Sequence, residues 1–337
     1  MRHLHRSVVR SILLLAAFAT TVALGAGLAV AGASGAAVSR GVVEIETRLA
    51  YANGAGSATG LILTRPGEVL TNNHVIRGAS TIRVHVPQTD RTYSARVLGY
   101  DVAADVALLE LQGATGLQTV SVGNSSTLRV GQRVTAVGNA DGAGVLTVST
   151  GRVTALGRTI TVSDEQGGAA RLSHLIETNA ALRPGDSGGA IVDSRGRVVG
   201  MNAAASAELV YRGGGGDGYA IPVNRATAIV SQIETGHSSA SVHIGATPFL
   251  GVTVEARPGS AAGVVVTGVK SSSPAARAGL EPGDLIVAVG GHSVRTHAGL
   301  VARLLLEHPG DRMSIAWVDG LGNRQAATVT LASGPPQ

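Results

Sequence analysis

The chain has 337 residues, 44% hydrophobic, 15% charged and 2% aromatic, a balance that excludes wholesale disorder and a length that fits two domains plus a targeting segment. Its charge of +5 comes from 27 basic and 22 acidic residues. Without Arg2, Arg6 and Arg10, at the extreme N-terminus, the count is 24 against 22, and no basic stripe with stacking aromatics remains to bind nucleic acid. Cysteine is absent, which excludes a disulfide framework, a thiol nucleophile and a zinc–thiolate site.

Residues 11–39 carry no charge and follow the three arginines, and Ala29-Val30-Ala31 offers a small-residue cleavage site. This reads as an export signal at 1–39, either cleaved or kept as a membrane anchor, since the apolar stretch is long enough to span a bilayer. Short strands follow at 41–48, 57–64, 68–71, 81–86, 94–100 and 106–112. A second group begins near Val120 and continues through 133–138, 145–156, 175–178, 190–193, 198–203 and 219–222. Two sets of about six strands predict a paired all-β barrel or sandwich. Residues 224–235 read as a helix capped by Asn224, with Ile229, Val230 and Ile233 on its apolar face and Gly236 as its stop. The small, polar run 237–247 is the expected linker.

A different rhythm then begins. Strands at 250–255 and 264–269 precede a short helix opened by Ser273-Pro274 and ended by Gly279. A strand at 285–289, a helix from Thr296 to Glu307 and strands at 313–318 and 325–331 complete a small α/β module. The boundaries expected are 40–236 for the β domain and 248–332 for this module.

Acyl transfer by a serine needs a base, a group that orients the base, and donors for the developing oxyanion. Gly185-Asp186-Ser187-Gly188-Gly189 puts a serine in a glycine-rich turn where the amides of Gly185 and Ser187 can converge. His74 follows an apolar strand, and Asp105 precedes the apolar Val106-Ala107-Leu108-Leu109. Asp101 competes with Asp105 and reads better as a loop carboxylate. The order His, Asp, Ser, with the serine in the second strand group, resembles the chymotrypsin/trypsin fold.

Within that fold the chain resembles the HtrA/DegP family, through Thr71-Asn72-Asn73-His74-Val75, the run from Asp105 to Leu111, the serine motif, and Tyr219-Ala220-Ile221-Pro222. Many members have asparagine before the nucleophile, where this chain has Asp186, which has no evident partner in the sequence. The resemblance implies a serine endopeptidase for unfolded or misfolded exported proteins, working outside the cytoplasmic membrane, with trimers common in the family. It also places a primary specificity pocket at Ala181 and Leu182, suited to small or medium apolar side chains, with Asp217 either facing that pocket, where it would admit Arg or Lys, or, the better reading, facing solvent. The C-terminal module resembles a PDZ domain, most specifically over 268–290. By that resemblance a peptide's C-terminal carboxylate sits on the amides of Leu250, Gly251 and Val252, beside Val301 and Leu304. No metal cluster, phosphate loop or dinucleotide fingerprint occurs, so no cofactor is expected. The competing function is a chaperone or scaffold that binds C-termini through the module while its protease domain is inactive.

Overall fold

The computed structural model describes residues 37–50, 54–163, 169–203, 218–239, 241–256 and 263–337. The expected export segment therefore lies outside the described residues except for its last three. Among the described residues no helix is long and apolar enough to cross a membrane.

Six strands form the first barrel: β1 (Val42–Leu49), β2 (Ala55–Ile62), β3 (Glu68–Thr71), β4 (Ala79–Val86), β5 (Arg91–Asp101) and β6 (Val106–Leu111). They run in the order β5-β4-β1-β2-β3-β6, and β5 pairs with β6 to close the ring. A second closed barrel contains β7 (Arg133–Gly138), β8 (Thr147–Ser163), β9 (Ala169–Thr178), β10 (Ala190–Val192), β11 (Val198–Asn202) and β12 (Gly218–Pro222). With few aromatics, Val, Ile, Leu and Ala fill the interiors. Val43, Ile45, Ile62 and Leu109 pack in the first barrel, and Val134, Val153, Ile176 and Ile191 in the second. A third cluster joins Leu61, Leu70 and Leu108 of the first barrel to Val137, Ala190 and Met201 of the second. This shared core fixes one barrel against the other, which any site spanning both requires.

After the single-turn helix α1 (Asn73–Ile76), the main helix of this part is α2 (Val223–Glu234), whose Ala226, Ile229, Val230 and Ile233 pack into the shared core. Asn224 does not cap it. The helix starts one residue earlier, and the Asn224 side chain instead accepts from Ser125 N–H at 3.0 Å and donates to Asn124 at 2.8 Å. The run read as a linker is partly strand. Within it β13 (Val242–Ile244) pairs antiparallel with β5, Val242 opposite Asp101, and buries Val242 and His243. The alternation Val-His-Ile supplies a strand face once an open sheet edge is available.

The C-terminal part has β14 (Thr247–Phe249), β15 (Val252–Ala256), β16 (Val264–Val269), α3 (Pro274–Ala278), β17 (Leu285–Val289), β18 (His292–Ser293), α4 (His297–Leu304), β19 (Arg312–Val318), β20 (Arg324–Thr330) and β21 (Ala332–Gly334). The sheet runs β15-β16-β17-β19-β20, and β14 pairs with β21. Ser273 caps α3 by accepting from Ala276 N–H, and Gly279 ends it at φ +87°. Thr296 caps α4 through Gly299 N–H at 3.0 Å, but that helix stops at Leu304 rather than Glu307.

Candidate active site

His74 sits in α1, directly after β3. Its Nδ1 lies 2.9 Å from Asp105 Oδ2 and 3.1 Å from Oδ1, while its main-chain N–H donates to Oδ1 at 2.9 Å. A carboxylate on Nδ1 keeps the proton there and leaves Nε2 with its lone pair, the tautomer a base needs. Burial works against a charged His74, but the Asp105 charge and hydrogen bond outweigh it and hold the imidazole above its usual range; Arg77 opposes them.

The backbone aims Asp105. It adopts φ +56°, uncommon for a residue with a side chain, and Asn72 donates to its carbonyl at 3.0 Å. Asp101 serves the backbone instead, its Oδ1 accepting from Ala104 N–H at 2.8 Å and holding the turn that delivers Asp105. The carboxylate on His74 is thus that of Asp105.

Ser187 lies on the other barrel, in a turn pressed against the first. Thr59 of β2 donates its N–H to the Ser187 carbonyl at 2.8 Å and its hydroxyl to the Gly185 carbonyl at 2.7 Å. The Thr59 carbonyl in turn accepts from Thr71 Oγ1, three residues before His74, at 2.8 Å. A Cβ on Gly188, at φ +81°, would run into the Thr59 carbonyl and the Thr71 hydroxyl, so this close approach of the barrels requires glycine. The Pro184 carbonyl accepts from Asp141 N–H at 2.6 Å. In a trans peptide that points the Gly185 N–H the opposite way, and this N–H has no acceptor among the described residues.

Asp186 is 4% exposed. Its Oδ2 accepts from Arg183 N–H at 2.8 Å, and its Oδ1 is buried without a donor among the described residues. Burial, only partly offset by the Arg183 hydrogen bond and charge, pushes the carboxyl up to about 6.

Of the expected pocket residues, Ala181 is exposed and held by Ser149 Oγ at 2.9 Å. Leu182 packs beside Ala180 and over Gly218, where a Cβ would meet its side chain at 2.5 Å. Asp217 lies outside the described residues. In the C-terminal part Gly251 adopts φ +88° between Leu250 and Val252, and the amides of Leu250 and Gly251 have no acceptor among the described residues. Leu250 and Leu304 are core residues, whereas Val252 on β15 and Val301 on α4, two neighbouring elements, are half-buried. No group of three or more potential metal ligands occurs among the described residues.

Sequence reasoning missed Thr59 and Asn139. Asn139 donates its N–H to the Thr59 hydroxyl at 2.8 Å and its Oδ1 accepts from Gly144 N–H at 2.9 Å, so both brace the serine turn. A threonine inside a strand has no local mark that distinguishes it; only the packing of the barrels does.

Two closed antiparallel barrels of six strands, with a His–Asp pair on one and a glycine-rich serine turn on the other, define a trypsin-like peptidase domain, here followed by a PDZ fold. The trypsin-like peptidase domain family matches residues 58–201 and the PDZ domain family residues 265–319. The solved HtrA-type protease AlgW with tripeptide is 31% identical, covers 91% of this chain and 99% of its own, and has a TM-score of 0.52. The chain belongs to the HtrA-type serine proteases with a C-terminal PDZ domain.

Among curated relatives, the serine protease PepD of Mycobacterium tuberculosis is 35% identical over 86% of this chain and 63% of its own length. The putative serine protease HhoB of Synechocystis is 35% identical over 77% and 63%. The periplasmic serine endoprotease DegP of Salmonella typhimurium is 34% identical over 79% and 54%. The chain therefore spans a little under two thirds, or less, of these relatives' lengths.

Proposed function

We propose that this protein is a serine endopeptidase that cleaves unfolded exported proteins through an acyl-enzyme. Ser187 Oγ attacks the scissile carbonyl carbon and its proton passes to His74 Nε2. The tetrahedral oxyanion is received by the Gly185 and Ser187 amides. Collapse breaks the C–N bond, and His74 returns the proton to the leaving amine. Water, deprotonated by the same nitrogen, then attacks the ester and frees the acid and Ser187. Asp105 orients His74 and stabilises its charged form.

The observation that carries this reading is the placement of Asp105 on His74 Nδ1, which leaves Nε2 as the base. The hydrogen bond from Asp141 N–H to the Pro184 carbonyl, which leaves the Gly185 N–H without an acceptor among the described residues, supports the oxyanion assignment. Export is supported by the charge-free segment 11–39 and by relatives named as periplasmic. Capture of peptide C-termini is supported by the Leu250 and Gly251 amides, which have no acceptor among the described residues.

The test is covalent labelling by a fluorophosphonate, with casein hydrolysis measured in parallel. Wild type should label and hydrolyse, and Ser187→Ala should do neither while keeping its fold by circular dichroism. A wild type that binds peptides yet neither labels nor hydrolyses would replace this reading with that of an inactive scaffold.

A further inference from the structure

The geometry points to residues 332–337, whose first three pair with β14 at the start of the C-terminal part, as a positioning element for the His74 turn of the first barrel. This inference rests on the proposed role of His74.

The turn needs outside support. A helix of four residues closes one internal hydrogen bond of the α type, Arg77 N–H to the Asn73 carbonyl at 3.0 Å, and isolated turns of that length are unstable. Asp105 holds its middle through His74 N–H. Its two ends are held by the tail. At the start, Asn73 Nδ2 donates to the main-chain oxygen of Gln337 at 2.9 Å. At the finish, Gly78 N–H donates to the Pro336 carbonyl at 2.7 Å.

The tail is itself anchored on both sides. Gln337 N–H donates to Tyr100 Oη at 3.4 Å, and the same hydroxyl pairs with Thr247 Oγ1 at 3.0 Å. Tyr100 is fully buried and its phenol is pushed up to about 12, so it stays a neutral donor and acceptor. Behind it, β21 pairs with β14, Thr247 opposite Gly334 and Phe249 opposite Ala332. A Cβ on Gly334 would lie 2.6 Å from Phe249 Cβ, so the tail lies flush on that strand. Asn73 is 3% exposed and its Oδ1 has no donor among the described residues, which leaves Gln337 as the partner of its amide. The staple therefore joins the two ends of the catalytic turn to a buried tyrosine and to the start of the PDZ module.

The experiment compares the full chain with one lacking residues 335–337, with Asn73→Ala, and with the two combined. A base displaced by a fraction of an ångström costs rate rather than binding, so the deletion should lower kcat by about tenfold to a hundredfold with KM within about twofold. The rate of fluorophosphonate labelling should fall with kcat, and far-UV circular dichroism should be unchanged. Asn73→Ala should give a smaller loss that adds nothing in the deleted chain, because its partner is already gone. Unchanged kcat on deletion, or losses that multiply in the combined variant, would overturn the inference. Should the deleted chain fail to fold, Tyr100→Phe, which removes only the hydroxyl, replaces it and must show the same fall in kcat at constant KM. An inactive wild type would instead defeat the proposed function, so the two failures are distinguishable.

Discussion

Asp186 is the residue whose environment fits its chemistry least. One carboxylate oxygen closes the serine turn on Arg183 N–H, while the other is buried with no donor among the described residues. The native carboxyl is raised to about 6, so between about pH 4 and 6 the folded chain holds a proton that the unfolded chain releases. Folding stability therefore falls as pH rises through that window, and the loss is complete above it. Asparagine keeps the acceptor for Arg183 and removes the buried charge. Asp186→Asn should be more stable than wild type by about 1–2 kcal/mol at pH 7.5, after discounting for solvent contact, and equal to it near pH 4. Thermal melts across pH 4–8 measure this. A stability difference that does not change with pH would show that the orphaned oxygen is not the cause.

At the scale of elements, local signals were readable and long-range ones were not. The glycine turn at Ser187, the caps Ser273 and Thr296, and the two groups of six strands follow from residue types and spacing that act over a few positions. The pairing of β13 with β5 joins residues some 140 apart, and its short Val-His-Ile run is strand only because that edge is open. Asn224 failed as a cap because the turn at Asn124–Ser125, distant in sequence, competes for its side chain. The segment ahead of Ser187 shows the same limit. Leu182 lies over Gly218 and Ala181 is exposed, and neither carries a charge, which suits small or medium apolar side chains there. Peptide-library profiling should find small or medium apolar side chains before the cleaved bond. A dominant preference for Arg or Lys that disappears in Asp217→Ala would place the carboxylate of Asp217 in the pocket instead.

Across the whole molecule, the peptidase and PDZ parts are joined by more than a connecting run. His243 Nδ1 of β13 lies 3.0 Å from the Leu305 carbonyl beyond α4, and its ring makes tilted contacts with Tyr100 and His308 at centroid distances of 5.3 and 5.9 Å. The strand β14 leaves this junction and leads straight into Leu250-Gly251-Val252. Gly251 at φ +88° turns that loop, the Leu250 and Gly251 amides have no acceptor among the described residues, and its missing Cβ admits Ser273 against the backbone. Two amides without an acceptor among the described residues suit a carboxylate, and the half-buried Val252 and Val301 suit an apolar terminal side chain. Charge-assisted hydrogen bonds contribute about 1.5–3 kcal/mol, so amidating the terminus should weaken binding by about tenfold or more. Fluorescence anisotropy with a labelled peptide ending in valine, on the full chain carrying Ser187→Ala to prevent cleavage, measures this. The free acid should bind more tightly than its amide, and Val301→Glu should weaken the free acid by opposing its charge and filling the apolar space. Equal affinity for acid and amide would move the ligand off this loop.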